Sequence, residues 1–166
     1  MGDKVQRMGE IVPLKTISLQ FGEIGIEKLN ALCGRTLATS YDDIADRALT
    51  FLDWCVTAWG DGKKILFVND VDAIILSRKM LDQGTNSREG TGGVEGDATT
   101  MREFSFSKER FETVMRLRTL LARSSNGVLF ADIFSCYEFY LDKLLEGRSL
   151  QYEDSTGETF DVERTF

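Results

Sequence analysis

The strongest constraint on the fold is an apolar pattern that is written twice. From Ile17 to Gly62 the chain sets out an alternating run (Ile17, Leu19, Phe21), two segments of helical periodicity and a glycine stop. Sliding the chain by 85 positions, the distance from Gly62 to Gly147, brings the pattern back without an insertion. Leu19 falls on Phe104, Phe21 on Phe106, Leu29 on Val114, Leu32 on Leu117, Ile44 on Leu129, Ala48 on Ile133, Leu52 on Tyr137 and Trp59 on Leu144. Five of the 46 aligned positions are identical, so the repetition lies in where apolar residues recur, not in which residues they are.

Each half reads as strand, helix, turn, longer helix. Alternation from Lys15 to Phe21 places Ile17, Leu19 and Phe21 on one face and Thr16, Ser18 and Gln20 on the other, a half-buried strand. Gly22 breaks it, and Ile26, Leu29, Leu32 and Cys33 follow at helical spacing to an end near Leu37. Ser40 is the expected N-cap of the second helix, with Asp43 at the reciprocal position of a capping box. The stripe Ile44, Ala45, Ala48, Leu49, Leu52, Cys55 and Trp59 runs to Gly60-Asp61-Gly62, where glycine tolerates a left-handed stop. In the second half Phe104 and Phe106 mark the strand, Phe111 to Leu121 the first helix, Ser124 to Gly127 the turn, and Leu129 to Leu144 the second stripe. Trp54, Trp59, Tyr137 and Tyr140 are expected in the core or at an interface. Ile65–Val68 should form a strand that turns at Asn69 and Asp70 into a returning segment, and Leu150 to Val162 a second hairpin.

This pattern divides the chain into an arm (residues 1–14), a first repeat with its accessory hairpin (15–82), a glycine-rich linker (83–100) and a second repeat with a C-terminal hairpin (101–166). The linker is too polar to offset its own ordering entropy, and it lacks the lysine-containing phosphate-loop motif. Charge and composition narrow the chemistry. Twenty basic against 27 acidic residues give a net charge of −7, which opposes nonspecific attraction to nucleic acid. There is no histidine, which removes the commonest general base and metal ligand, so neither an enzyme nor a metal or other cofactor is expected. Cys33, Cys55 and Cys136 are widely spaced and suit buried thiols of a reducing compartment. No apolar run is long enough to span a bilayer, and the first residues lack a signal-peptide core, so the expected location is the cytoplasm.

The run TISLQF with the turn TSYDDIADRAL, and REFSFS with SSNGVLFADIF, resemble the ribbon-helix-helix family of Arc-like and CopG-like repressors, once in each half. The resemblance implies an α+β, mainly helical fold: a tandem pseudo-dimer in which Ile17 to Phe21 pairs antiparallel with Arg102 to Phe106 as a two-stranded ribbon. In that family the outward ribbon residues enter the DNA major groove. Here they would be Thr16, Ser18 and Gln20 from the first copy and Met101, Glu103 and Ser105 from the second. The family also clamps phosphates at the N-terminus of the second helix. Ser124, Ser125, Asn126 and Gly127 are neutral there and compatible, whereas Asp42 and Asp43 of the first copy would repel an anion. Lys4, Arg7, Lys15, Arg102, Lys108 and Arg110 are the nearest basic residues, expected on the ribbon side.

Two binding functions lead on these grounds, with an enzyme the least favoured third, since fold alone does not fix function. One is a DNA-binding regulator or DNA-processing accessory factor that reads bases with Gln20, Ser18 and Ser105 and positions itself with Lys15 and Arg102. The other is an acidic protein-interaction module whose ribbon no longer binds DNA, with Glu103 at its centre. Either would act as an intramolecular pseudo-dimer or as a homodimer of such units, with no membrane involved.

Overall fold

The computed structural model describes residues 14–83 and 99–166. Of the expected arm (1–14) and linker (83–100), residues 1–13 and 84–98 lie outside the described residues; at the linker's two ends Gln83 is helical and Thr100 belongs to a strand. The remainder is α+β. Strand β1 (Lys15–Phe21) leads into α1 (Glu23–Thr36) and α2 (Tyr41–Gly60), followed by β2 (Lys64–Val68) and β3 (Ala73–Leu76). The second half runs β4 (Thr100–Phe106), α3 (Lys108–Leu120), α4 (Asn126–Leu145), β5 (Ser149–Glu153) and β6 (Thr159–Asp161). Adding 85 to the bounds of β1, α2 and β2 gives the bounds of β4, α4 and β5. Residues 78–83 are also helical, so the expected returning segment is a strand followed by a helical turn.

Local chemistry explains the common boundaries. Ser40 and Ser125, counterparts in the two halves, each cap the longer helix by accepting from the N–H three residues on, at 3.1 and 3.2 Å. Gly62 and Gly147 hold φ of +77° and +85°, the left-handed stop that a side chain would strain. Asp43 departs from the reciprocal capping pattern in one detail: its carboxylate accepts from the N–H of Thr39, not of Ser40, at 3.0 Å. The end of the shorter helix is closed by a guanidinium in both halves, from different places. Arg47 of α2 donates to the Thr36 carbonyl at 2.9 Å, and Arg123, in the turn after α3, donates to the Leu121 carbonyl at 2.7 Å. Thr36 and Leu121 are counterparts, so one orphan carbonyl has been satisfied twice by separate routes.

The strands form two antiparallel sheets. In the first, β1 pairs with β4 and Ser18 lies opposite Glu103. In the second, of order β3-β2-β5-β6, Leu66 lies opposite Gln151. Both are residues facing their own counterparts 85 positions on, the relationship that a two-fold axis through each sheet imposes. The two hairpins expected after the helices therefore exist but are not separate: β2 and β5 join them along their shared edge. Pairing satisfies a row of N–H and C=O groups on each strand that separate hairpins would leave open.

Between the sheets α2 packs against α4. Phe51 of α2 stacks on Tyr140 of α4 with centroids 4.6 Å apart, and Phe166 meets Phe51 edge-on at 5.1 Å. Beneath the ribbon, Ile17, Leu19, Phe104 and Phe106 are buried, and Phe104 lies within 6.2 Å of both Phe130 and Phe134 of α4. One continuous core thus holds residues from both halves. Cys55 and Cys136 are buried in it and free of disulfide, and burial pushes the Cys55 thiol well up. Among the described residues no helix is long and apolar enough to cross a membrane.

Candidate binding surface

The two-residue period of a strand decides which side chains the ribbon presents. Register pairs Thr16 with Ser105, Ser18 with Glu103 and Gln20 with Met101, and these six residues share the face away from the core. Thr16, Ser18, Gln20, Met101 and Glu103 are exposed, and Ser105 is half-buried. The alternation read from sequence therefore assembles all six expected outward residues on one surface.

Two residues assigned to that surface are elsewhere. Arg102 pairs opposite Leu19 and so has the core-side parity of Phe104 and Phe106. Its guanidinium lies 5.6 Å from the centroid of the Tyr41 ring, and its Nε is buried without a hydrogen-bond partner. Lys15 pairs opposite Phe106 and has the same parity, although at the strand end its side chain is exposed. The outward face consequently carries one carboxylate and no cation. Arg110, expected on the ribbon side, is tied to Asp46 at 2.7 Å, and Arg116 is tied to Asp53 at the same distance.

The N-termini of the two longer helices flank the two edges of the ribbon, but differently. On one side the Asp42 carboxylate accepts from the main-chain N–H of Ser105 at 3.0 Å. An edge strand otherwise presents this group to solvent, and the contact both satisfies it and places a negative charge beside the ribbon. Asp43, next to it, is held below the usual aspartate range by the Thr39 N–H and by Arg47. This end carries the two carboxylates that the sequence analysis expected to disfavour an anion, one bonded to Ser105 and the other paired with Arg47. On the other side Ser124 and Ser125 are exposed and Asn126 is half-buried, without an acidic residue in the first turn of α4. Arg118 reaches this turn, donating to the Ser124 carbonyl at 2.9 Å and to the Asn126 side-chain oxygen at 3.3 Å.

Sequence reasoning missed one contact and two participants. Asp42 was legible as an acid at the helix start that would disfavour an anion, but not as the acceptor for Ser105, which lies 63 residues away. Tyr41 and Arg118 carry no motif signal; each is identified only by the fold that brings Arg102 and the α4 turn to it. Among the described residues no group of three or more Cys, Asp or Glu is placed to hold a metal ion.

No protein-family model, no curated protein and no solved structure matches this chain.

Proposed function

We propose that the chain is a non-enzymatic binding protein, a tandem ribbon-helix-helix pseudo-dimer whose exposed ribbon face engages a protein partner. The observation that carries this reading is the inward turn of Arg102 onto Tyr41 beneath a ribbon face whose one charged group is Glu103. Phosphate binding draws on Lys and Arg that displace counterions, and this face offers neither. A polar, two-stranded surface with Thr16, Ser18 and Gln20 beside Met101 and Glu103 suits hydrogen bonding and apolar contact with another protein.

DNA remains a second reading, favoured by the α4 turn. There Ser125 and Asn126 present uncharged amides at a helix N-terminus, with the Arg118 guanidinium alongside, an arrangement that attracts phosphate. The experiment that separates the two is heparin chromatography and gel shift with genomic fragments, at about 50 mM salt and above. The protein-binding reading expects no retention and no shift, and a photo-crosslinker placed at Ser18 should capture one defined partner in the native cell. Retention that falls steeply as salt rises would replace that reading with the DNA one.

A further inference from the structure

The duplication supplies an internal comparison at the ribbon edges. On the side formed by β4, α3 and α2, the groove between the ribbon and the longer helix is plugged. Arg110 runs into it, donating to the Asp46 carboxylate at 2.7 Å, to the Asp46 carbonyl at 3.0 Å and to the Thr50 hydroxyl, and Asp42 closes the ribbon end through Ser105. On the side formed by β1, α1 and α4, every plug residue has a smaller counterpart 85 positions away. Gly25 stands for Arg110, Gly127 for Asp42, Ala131 for Asp46 and Ser135 for Thr50. A cavity of about 220 Å³ opens in consequence, and all four of these residues line it or its mouth.

From this contrast we infer that the groove between β1, α1 and α4 is a binding site for a small uncharged molecule of one or two rings, bearing a single hydrogen-bonding group. The walls are Leu19, Phe21, Leu29, Leu32, Phe130 and Phe134, which offer apolar contact and no charge. Cavities of about 150 Å³ lined by such side chains take up benzene, so this one has room for a somewhat larger ring system. The carboxylate that grips the guanidinium in the plugged twin, Asp46, is replaced here by Ala131, and Gly127 leaves open the end that Asp42 closes there, so the inner groove has no holder for a cation. Ser135 keeps the hydroxyl that Thr50 supplies there, which gives the occupant one polar anchor. Lys28 and Glu138 stand at the mouth with opposite charges, so the rim favours neither sign. Gln20, at the end of the outward ribbon face, also borders the groove, so the site adjoins the ribbon surface without depending on what that surface binds.

The test is an indole titration of the full chain. In two-dimensional amide NMR spectra, the signals of Gly25, Gly127, Ala131 and Ser135 are expected to move saturably. The melting temperature should rise by about 3–6 °C at ten times the dissociation constant. Ala131→Leu and Gly127→Leu each fill the groove, and a Cβ at Gly127 meets nothing nearer than the Ser125 Oγ at 3.7 Å. Each variant, checked for folding by circular dichroism, should lose the response. Unmoved amide signals in the wild-type spectrum would overturn the assignment. So would an equal thermal shift in wild type and both filled variants, or saturable binding of agmatine in place of indole.

Discussion

Leu37 and Ala122, counterparts 85 residues apart, both hold left-handed φ angles, 55° and 53°, and among the described residues no other non-glycine residue does so. Each sits where the shorter helix of its half turns toward the longer one. A side chain in this region costs about 1–2 kcal/mol, and glycine avoids the clash. Leu37 is also 85% exposed, so little packing is lost with it. Leu37→Gly and Ala122→Gly are therefore expected to stabilise the protein by about 1 kcal/mol each, read as a rise in the urea midpoint with an unchanged slope. A fall in the midpoint would show that strain at these turns is relieved elsewhere.

Phe104 ties the ribbon to the helices and is fully buried. Phe104→Ala removes a ring that contacts Phe21, Phe130 and Phe134, residues from both halves, and should cost about 3–5 kcal/mol. Because the core is continuous, fluorescence and circular dichroism should report one coincident transition in the wild type and in the variant. Two separated transitions would mean that each half folds alone.

Much of this architecture was legible in the sequence, and the reason is the repeat. Apolar period, the serine caps at Ser40 and Ser125, and the glycine stops at Gly62 and Gly147 are local signals, and writing each twice fixed the strand and helix limits. Pairings across long separations were not legible. Nothing near Ile65 or Leu150 indicates that their strands share an edge, and nothing near Asp42 indicates Ser105. Arg102 shows a different failure. Strand parity already placed it with Phe104 and Phe106, but its charge suggested the solvent face; the aromatic surface of Tyr41 is what makes the inward position tolerable.

Arg123 and Asp132 form a buried ion pair at 2.5 Å, with Asp132 fully buried and Arg123 also bound to Asp82 at 2.9 Å. Arg123→Ala takes the guanidinium from a carboxylate that has no access to water and uncaps the Leu121 carbonyl. The expected loss is about 3–5 kcal/mol by chemical denaturation. A double variant, Arg123→Met with Asp132→Leu, should recover most of it. Equal losses in the single and double variants would show that the capping contact, not the broken ion pair, dominates.

Tyr137 donates to a main-chain oxygen of Phe166 at 2.8 Å. Burial, with Tyr140 beside it, pushes the Tyr137 hydroxyl up to about 12. A group raised in the folded state stabilises the fold fully below its unfolded value, about 10, and loses that contribution as pH rises through the folded value. Phenolate absorbance should therefore show a late-titrating tyrosine, with stability declining over the same alkaline range. In Tyr137→Phe the late phase should vanish. Its persistence would assign that phase to another tyrosine.

Glu103→Lys would place a cation at the centre of the outward ribbon face, opposite Ser18. If the missing charge is what keeps this face from phosphate, low-salt DNA affinity should rise at least several-fold, and its salt dependence should steepen by about one counterion. Unchanged affinity in a gel-shift titration would remove the ribbon from any nucleic-acid surface.

The account rests on the two halves completing one ribbon within a single chain, and a cross-link tests this most directly. The Ser105 N–H points away from β1 toward Asp42, so the Thr16–Ser105, Ser18–Glu103 and Gln20–Met101 pairs are the closely spaced, non-hydrogen-bonded ones. Cysteines at Ser18 and Glu103, in a Cys33→Ser background, should close a disulfide on mild oxidation. The account predicts a monomer by mass, about 2 Da lighter than the reduced chain because two thiol hydrogens are lost on oxidation. Free thiols, or a disulfide found only between two chains, would contradict it.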